Sequence, residues 1–424
     1  MSDYFDRVES QIVRNVEAGL PRASHRPNVS GYLAIAVAAA VVIVVAGAFL
    51  LARGSSRTTP PAASHSVTVT FKATAIDSKA PAGALGPVVA ILRERLGSVF
   101  PGVRVSRAGN EIVVTAPNAN PSTRAGILAL VTTRAQLDFY DWEANVLTPN
   151  GKTVASQLET QDPTAVAISQ GSGNSAPGGP FAGSMKLYDA VTLASKQPPR
   201  ASAANSRITP QYWMFGAPGS AACAAAAKAG GTVPTEGQHC LLNGPYDNKH
   251  ALLTGLPAGV SASDGQILAV PRGTVVIQAI SASVANPTPI EDPSAQFFVL
   301  KDNVALRGSD ITNPQQNSDP NTRSPEVTFG FSDKGKSQFQ AVTANIAHRG
   351  ELVSSQGQTL NQHFAVVLDN RLITVPHIDF KQYPDGINGD KGADIAGGLT
   401  ITSAKDLATI LRYGPLPVSL MATG

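Results

Sequence analysis

Oxygen ligands crowd one short stretch near the C-terminus. "YPDGINGDKGAD" sets Asp385, Asn388, Asp390 and Asp394 among glycines. Carboxylates and amides on tight glycine turns are what Ca²⁺ takes. The spacing departs from an EF-hand loop, however, and the same composition makes an ordinary solvated loop, so no metal is expected. His363 and His377 flank a hairpin and can face each other; they are expected as a pair of surface histidines. The two cysteines, Cys223 and Cys240, lie outside any C-x-x-C arrangement and make a poor metal site. In an oxidising compartment they can pair and close a loop of about 16 residues, worth roughly 3 kcal/mol. Two free buried thiols are the alternative. The sequence contains no G-x-S-x-G, H-E-x-x-H or G-x-x-x-x-G-K-[ST] motif, so neither an enzyme nor a cofactor is expected.

The elements that must position these residues are legible in two blocks. In the first, "SVTVTFKAT" alternates as a strand and "GPVVAILRERLG" reads as a helix with Pro87 in its first turn. "GVRVSRAGNEIVVTAP" reads as two strands around Ala108-Gly109-Asn110. "PSTRAGILALVTTR" gives a second helix and "AQLDFYDWE" a closing strand. Strand, helix, strand, strand, helix, strand is the ferredoxin-like order.

The second block begins near Gln296. "QFFVLKD" and "PEVTFGF" read as strands. "SDKGKSQFQAVTANIAHRG" reads as a helix capped by Ser332 or Asp333, with Phe339, Val342 and Ile346 on one face and Gly350 just past its end. "HFAVVLDNRLITVPHI" is a hairpin in which Asp369 and Asn370 can take the positive φ values of a tight turn. "TSAKDLATILRYG" is the last helix, ended by Gly414. Between the blocks, "SQGSGNSAPGGPFAG" and "SKQPPRASAANS" mark a loop-rich stretch, relieved by two strands around Pro271-Arg272-Gly273.

Composition bounds the rest. The chain has 424 residues, 43% of them hydrophobic and 15% charged, with a formal net charge of +3. That balance, without a dense Lys/Arg run, argues against nucleic acid. Gly31 to Ala52 carries no charge over 22 residues. As a helix it spans roughly 33 Å, enough for a bilayer core and longer than a signal-peptide core. An uncleaved transmembrane anchor over 31–53 is therefore expected. Arginines and lysines flank both sides, so orientation rests on the 30-residue N-terminal arm, the easier side to leave in the cytoplasm. Its Val8, Ile12, Val16 and Leu20 recur every four residues, as in a short amphipathic helix on the inner membrane surface. A Ser/Pro/Thr linker follows over 54–66.

Five pieces, in order, resemble the SecD subunit of the bacterial protein-export machinery. "AQLDF" (Ala135 to Phe139) resembles the strand closing the first half of the family's first extracytoplasmic domain. "VTFGFSDKGKSQFQAVT" resembles the strand-helix unit of its head. "VLDNRLITVP" is similar to its hairpin, with Asn370 in place of the usual glycine. "GADIAGGLT" resembles its Gly-Gly hinge, and "LRYGPLPVSL" its helix end and proline turn.

The resemblance implies an α+β fold with one N-terminal transmembrane helix and a ferredoxin-like split base carrying an inserted α+β head. The expected layout is an arm at 1–30, anchor at 31–53, linker at 54–66 and first part of the base at 67–150. A loop-rich insertion at 151–296, the head at 297–398 and a truncated second part of the base at 399–424 follow. Gly397 and Gly398, otherwise plain turn glycines, become a hinge between head and base. In the family the proline turn leads to a last base strand and then to membrane helices with an acidic residue implicated in proton-driven work. Neither those helices nor a charge within Gly31–Ala52 is found here, so proton conduction is not implied. The expected partners are the membrane and emerging or unfolded polypeptide or export-machinery subunits, bound outside the cytoplasmic membrane. A cell-envelope scaffold reusing the fold for an unrelated ligand is the alternative.

Overall fold

The computed structural model describes residues 66–75, 81–117, 119–120, 122–172, 182–200, 209–228, 237–279, 290–320, 322–354, 359–396 and 399–423. The expected arm, anchor and most of the linker lie outside them, as do Gly397 and Gly398. Among the described residues no helix is long and apolar enough to cross a membrane.

In chain order the strands are β1 (Val67–Ala75), β2 (Arg104–Ala108), β3 (Glu111–Ala116), β4 (Leu137–Asp141), β5 (Gln211–Gly216), β6 (Cys240–Tyr246), β7 (Gly265–Val270) and β8 (Thr274–Gln278). There follow β9 (Phe297–Lys301), β10 (Leu306–Arg307), β11 (Ile311–Ser318), β12 (Pro325–Phe331), β13 (Gln362–Leu368), β14 (Arg371–Thr374), β15 (His377–Ile378), β16 (Ala393–Ala396) and β17 (Val418–Ala422). With the helices they make a mixed α+β molecule.

The first sheet is antiparallel, in the order β17-β1-β3-β2. Its apolar face, with Val69, Phe71, Ile112 and Val114 fully buried, packs under the helices Pro81–Gly97 and Thr123–Thr132. The first helix begins six residues before the expected Pro87, which lies inside it. Two expectations are corrected in this sheet. Leu137–Asp141 is not its closing strand, because β4 is buried at all five positions and is paired on both sides by β10 and β13. The closing strand is β17, which pairs with β1 at five positions, Phe71↔Ala422 to Ala75↔Val418, and is not truncated to a stub.

Arg95 ties the distant halves of this unit together. Its guanidinium is fully buried and donates to the carbonyls of Leu130, Thr133, Arg134 and Gly414. Burial, eased by the more distant Asp369 carboxylate, lowers it to about 10. Carbonyl dipoles converging on a buried cation recover part of its lost hydration.

The second sheet runs β10-β4-β13-β14-β8-β9, with β15 on the far end of β13. It shares a core with the first through Phe139, Phe329, Phe331, Phe339 and Phe364. The Phe331–Phe339 centroids lie 4.8 Å apart and the Phe139–Phe364 centroids 5.6 Å apart. A third sheet, β11-β12-β16, stands beside it. The helix Asp333–Ser354 follows β12 directly. Ser332 accepts from the Gly335 N–H at its start, and Phe339, Val342 and Ile346 turn inward. This helix runs past Gly350, correcting the expected stop. Gly350 is instead a packing glycine, since a Cβ there would press on Phe380 and the Leu360 carbonyl at 3.3 and 3.4 Å.

Residues 151–296 are not simply loop-rich. They hold the short helices Val154–Leu158, Pro163–Ser172 and Leu187–Ser195 and a fourth sheet, β6-β5-β7. The two strands around Pro271 part company: β7 pairs with β5, while β8 pairs with β9 in the second sheet. Elements this short carry too few residues for a period to show.

Candidate functional site

β12 places its side chains by simple alternation. Val327, Phe329 and Phe331 enter the core. Glu326, Thr328 and Gly330 take the opposite face. On β16, Asp394 stands opposite Thr328 and Ala396 opposite Glu326, so the two acids are diagonal neighbours on one face, roughly 7–8 Å apart. β11 brings Gln315 opposite Thr328 and Asn317 opposite Glu326, and Asn317 donates to the Thr328 hydroxyl at 2.6 Å. A cleft of about 300 Å³ opens on this face, lined by Asn313, Gln315, Glu326, Thr328, Asp390 and Asp394 among others.

The electrostatics are lopsided. Glu326 and Asp394 are only 3% and 7% exposed, and neither Glu326 Oε2 nor Asp394 Oδ2 has a hydrogen-bond partner. Burial, with Asp394 and Asp319 nearby, pushes the Glu326 carboxyl up to about 7. Burial and then Asp319 push Asp394 up to about 6. At the rim Asp390 behaves oppositely: it accepts from Asn388 within its own turn and pairs with Lys336 Nζ at 3.2 Å, which holds its carboxyl below the usual range. The sequence-grouped oxygens of Asp385, Asn388, Asp390 and Asp394 are thus divided. Asn388 accepts from the Asp390 N–H within a turn, whereas Asp394 belongs to a strand. Among the described residues no group of three or more His, Cys, Asp or Glu side chains is arranged to hold a metal.

A buried ionic network holds the helix Asp333–Ser354 against the second sheet. Arg349 reaches both carboxylate oxygens of Asp141, with Nη1–Oδ2 at 2.9 Å, and donates from Nε to Gln362 at 3.2 Å. Glu143, fully buried, accepts from the His363 backbone N–H at 2.8 Å and meets His363 Nδ1 at 2.6 Å. His363 is 5% exposed, so the expected surface histidine pair is corrected. His377 lies edge-on at 6.5 Å between centroids, and Glu143 is the partner that draws the His363 ring inward. Burial pushes the Asp141 carboxyl up against the pull of Arg349. Glu143 bears the same burial penalty, but His363 and then Arg349 outweigh it and hold its carboxyl below the usual range.

Asp369 and Asn370 turn between β13 and β14 with φ of 50° and 62°. Asp369 also accepts from the backbone N–H groups of Ala135 and Gln136 at 3.2 and 2.8 Å, locking the turn to the entry of β4. Cys223 and Cys240 are joined as a disulfide between the helix Ala221–Lys228 and β6.

Sequence reading missed Glu326, Asp141, Glu143, Arg349 and Arg95. Glu326 sits at an outward position of an alternating strand, and its burial depends on β16 arriving much later in the chain. The Asp-Trp-Glu run at the end of β4 was a usable signal, since acids set among the aromatic residues Phe139, Tyr140 and Trp142 need partners once those are buried.

Residues 284–418 match the family model described as SecDF, P1 head subdomain. Among curated proteins, protein translocase subunit SecD of Rickettsia typhi is 33% identical over 124 residues, covering 29% of this chain and 20% of that protein. SecD of Rickettsia conorii is 29% identical over 151 residues, covering 36% and 24%. SecD of Streptomyces coelicolor is 32% identical over 93 residues, covering 22% and 14%. The matches span about a fifth of the length of the first of these curated relatives. Among solved structures, SecDF in its super-membrane-facing form has a TM-score of 0.41 at 16% identity, covering 90% of this chain and 34% of that one. A second, of the membrane component SecDF that enhances protein export, has a TM-score of 0.37 at 17% identity, covering 84% and 98%.

Proposed function

This chain is a SecD-like protein of the protein-export family, and from that premise we propose that it is a membrane-anchored accessory protein, not a catalyst. It binds emerging or unfolded polypeptide, or export components, at the outer face of the cytoplasmic membrane. The observation that carries this reading is the head match over 284–418. In this reading residues 31–53 are the single anchor, with the arm inside and the bulk outside. The β17-β1-β3-β2 sheet is the split, ferredoxin-like base, and Gly397 and Gly398 are the hinge on which the head moves. The stretch Gly31–Ala52 of that anchor holds no Asp, Glu, His, Lys or Arg to relay protons, so in this reading it conducts none of its own.

The geometry supports an extended ligand. β16 pairs with β12 on one side only, and among the described residues its other edge meets no strand. An open edge offers its N–H and C=O groups to a peptide by strand addition. The test is a photo-crosslinking residue at Ala393 on β16, with a control at Asp264, in cells carrying a stalled export substrate. Adducts with the substrate from Ala393 and not from Asp264 are expected. Adducts only with proteins unrelated to export would replace this reading with the envelope scaffold. The separate β6-β5-β7 unit with its disulfide favours that alternative, as an added binding module.

A further inference from the structure

The cleft between β11, β12 and β16 has the wrong charge to be idle. Two carboxylates more than nine-tenths buried face one space, each with an oxygen that no donor meets. No lysine, arginine or histidine pairs with either among the described residues. The nearby cations are otherwise engaged or peripheral: Lys336 pairs with Asp390 and Asp333, and Lys391 lines the rim. Leaving a buried acid oxygen unmet costs about 1–3 kcal/mol, and more for a charged group. Two such sites side by side are a standing deficit that a cation of the right size removes.

We propose that this cleft receives one basic side chain, guanidinium or ammonium, of an extended polypeptide, held between Glu326 and Asp394. The inference rests on the polypeptide-binding reading above and names what that ligand must carry.

Size, ligand set and register all favour a side chain. At about 300 Å³ the cleft lies at the lower edge of the roughly 300–1,000 Å³ typical of small-molecule sites, room enough for a side-chain tip. Two carboxylates with amide and hydroxyl neighbours match the donors of a guanidinium or ammonium better than the six to eight oxygens of a Ca²⁺ site. The cleft also adjoins the open edge of β16. A strand added there alternates its side chains between faces. The residue paired with Asp394 falls on the cleft face, with Cβ atoms roughly 4.5–5.5 Å apart. Backbone pairing would then supply affinity in general, and the cleft would select a basic residue at one position.

The charges facing the site set its pH dependence. They are Glu326 on β12, Asp394 on β16, Asp319 after β11, and Asp390 with Lys336 and Lys391 at the rim. With the cleft empty, Glu326 and Asp394 retain protons well above ordinary carboxyl values. A bound cation displaces those protons, so affinity is highest above pH 7 and declines as pH falls through 7 and then 6.

The experiment uses the full chain in nanodiscs and two probes. The first is agmatine, a free guanidinium, titrated while the amide signals of β12 and β16 are followed by NMR. The second is a pair of unstructured fluorescent peptides, identical except for one central arginine or citrulline, read by anisotropy. Both are measured at pH 8 and pH 5.5 with wild type, Glu326→Gln, Asp394→Asn and the exposed-acid control Asp264→Asn.

Expected are agmatine shifts centred on Glu326 and Asp394, and at least tenfold tighter binding of the arginine peptide at pH 8. That preference should vanish in Glu326→Gln and at pH 5.5 and persist in Asp264→Asn. Equal binding of both peptides, with no agmatine response, overturns the cleft inference and leaves the polypeptide reading standing. An agmatine response without peptide binding upholds the cleft and sinks the polypeptide reading. Ca²⁺ at millimolar concentration abolishing the agmatine shifts, with shifts of its own at the same residues, would make this a metal site and overturn the assignment. Variant folding is checked by thermal melts; both substitutions remove a buried charge and should not lower the midpoint at pH 8.

Discussion

Replacing Arg349 by methionine should unfasten the helix Asp333–Ser354 from the second sheet. The arginine side chain is 18% exposed and its partner Asp141 13%, while Glu143 beside them is fully buried. Methionine keeps most of the aliphatic stem and removes the charge. Asp141 then loses both of its guanidinium hydrogen bonds, and Glu143 keeps only His363 and Ser169 as side-chain partners. Breaking a buried pair from one side costs about 3–5 kcal/mol, and the residual exposure places this case near 3.

The loss has a pH signature. Without Arg349, burial holds the Asp141 carboxyl above its unfolded value, so the folded state binds its proton more tightly than the unfolded state does. The penalty is then full at pH 8 and shrinks as pH falls through the folded value. Urea unfolding followed by Trp142, which is fully buried against Phe298, reads this unit directly in a Trp213→Phe background. Arg349→Met should lose about 3 kcal/mol at pH 8 and visibly less at pH 5. Adding Asp141→Asn should restore about half of the loss. A deficit under 1 kcal/mol, or one that does not change with pH, would falsify the account of this network.

Three further outcomes are expected. The acid pair on β12 and β16 should make the β11-β12-β16 unit less stable as pH rises: both carboxyls are raised in the fold, so their contribution is intact below the unfolded values near 4 and is lost on the way to pH 7. Glu326, raised to about 7, carries the larger part of this loss, and Glu326→Gln should flatten the slope of melting temperature against pH; an unchanged slope counts against this. Converting Cys223 and Cys240 to serine should cost the β6-β5-β7 unit roughly 3 kcal/mol, read as faster hydrogen exchange in β5 and β6 with β1 and β3 unaffected. At the hairpin, Asn370→Gly should stabilise by a few tenths to 1 kcal/mol because φ is 62° there, whereas Asp369→Ala should destabilise by about 1–3 kcal/mol by stranding the Ala135 and Gln136 N–H groups; equal effects on urea midpoints would refute the distinction.

What the sequence determined by itself was local. Alternation in "SVTVTFKAT" and "PEVTFGF", the turn at Gly109, the inward face of Phe339, Val342 and Ile346 and the stop at Gly414 all depend on neighbours a few residues away, and such periods survive in one dimension. The ordered motifs at 135–139, 327–343, 367–376, 392–400 and 411–420 gave the family for the same reason, since each is a short, self-contained unit of turn and apolar pattern. Pairing between distant segments was decided only in three dimensions. "AQLDF" reads as a base strand until β13 and β10 flank it, and β17 takes the place beside β1, where Leu416, Val418 and Leu420 complete the core that Leu137 and Phe139 of β4 also enter. Arg95, Glu143 and Glu326 look like ordinary surface charges in the sequence. Their burial is created by Gly414, His363 and Asp394, which come from far along the chain, and apart from the Asp-Trp-Glu run that carries Glu143 neither the charges nor the partners show a local sign of it. Desolvation is a property of what surrounds a group in space, and for that reason the acid-lined cleft became visible only once β11, β12 and β16 were assembled.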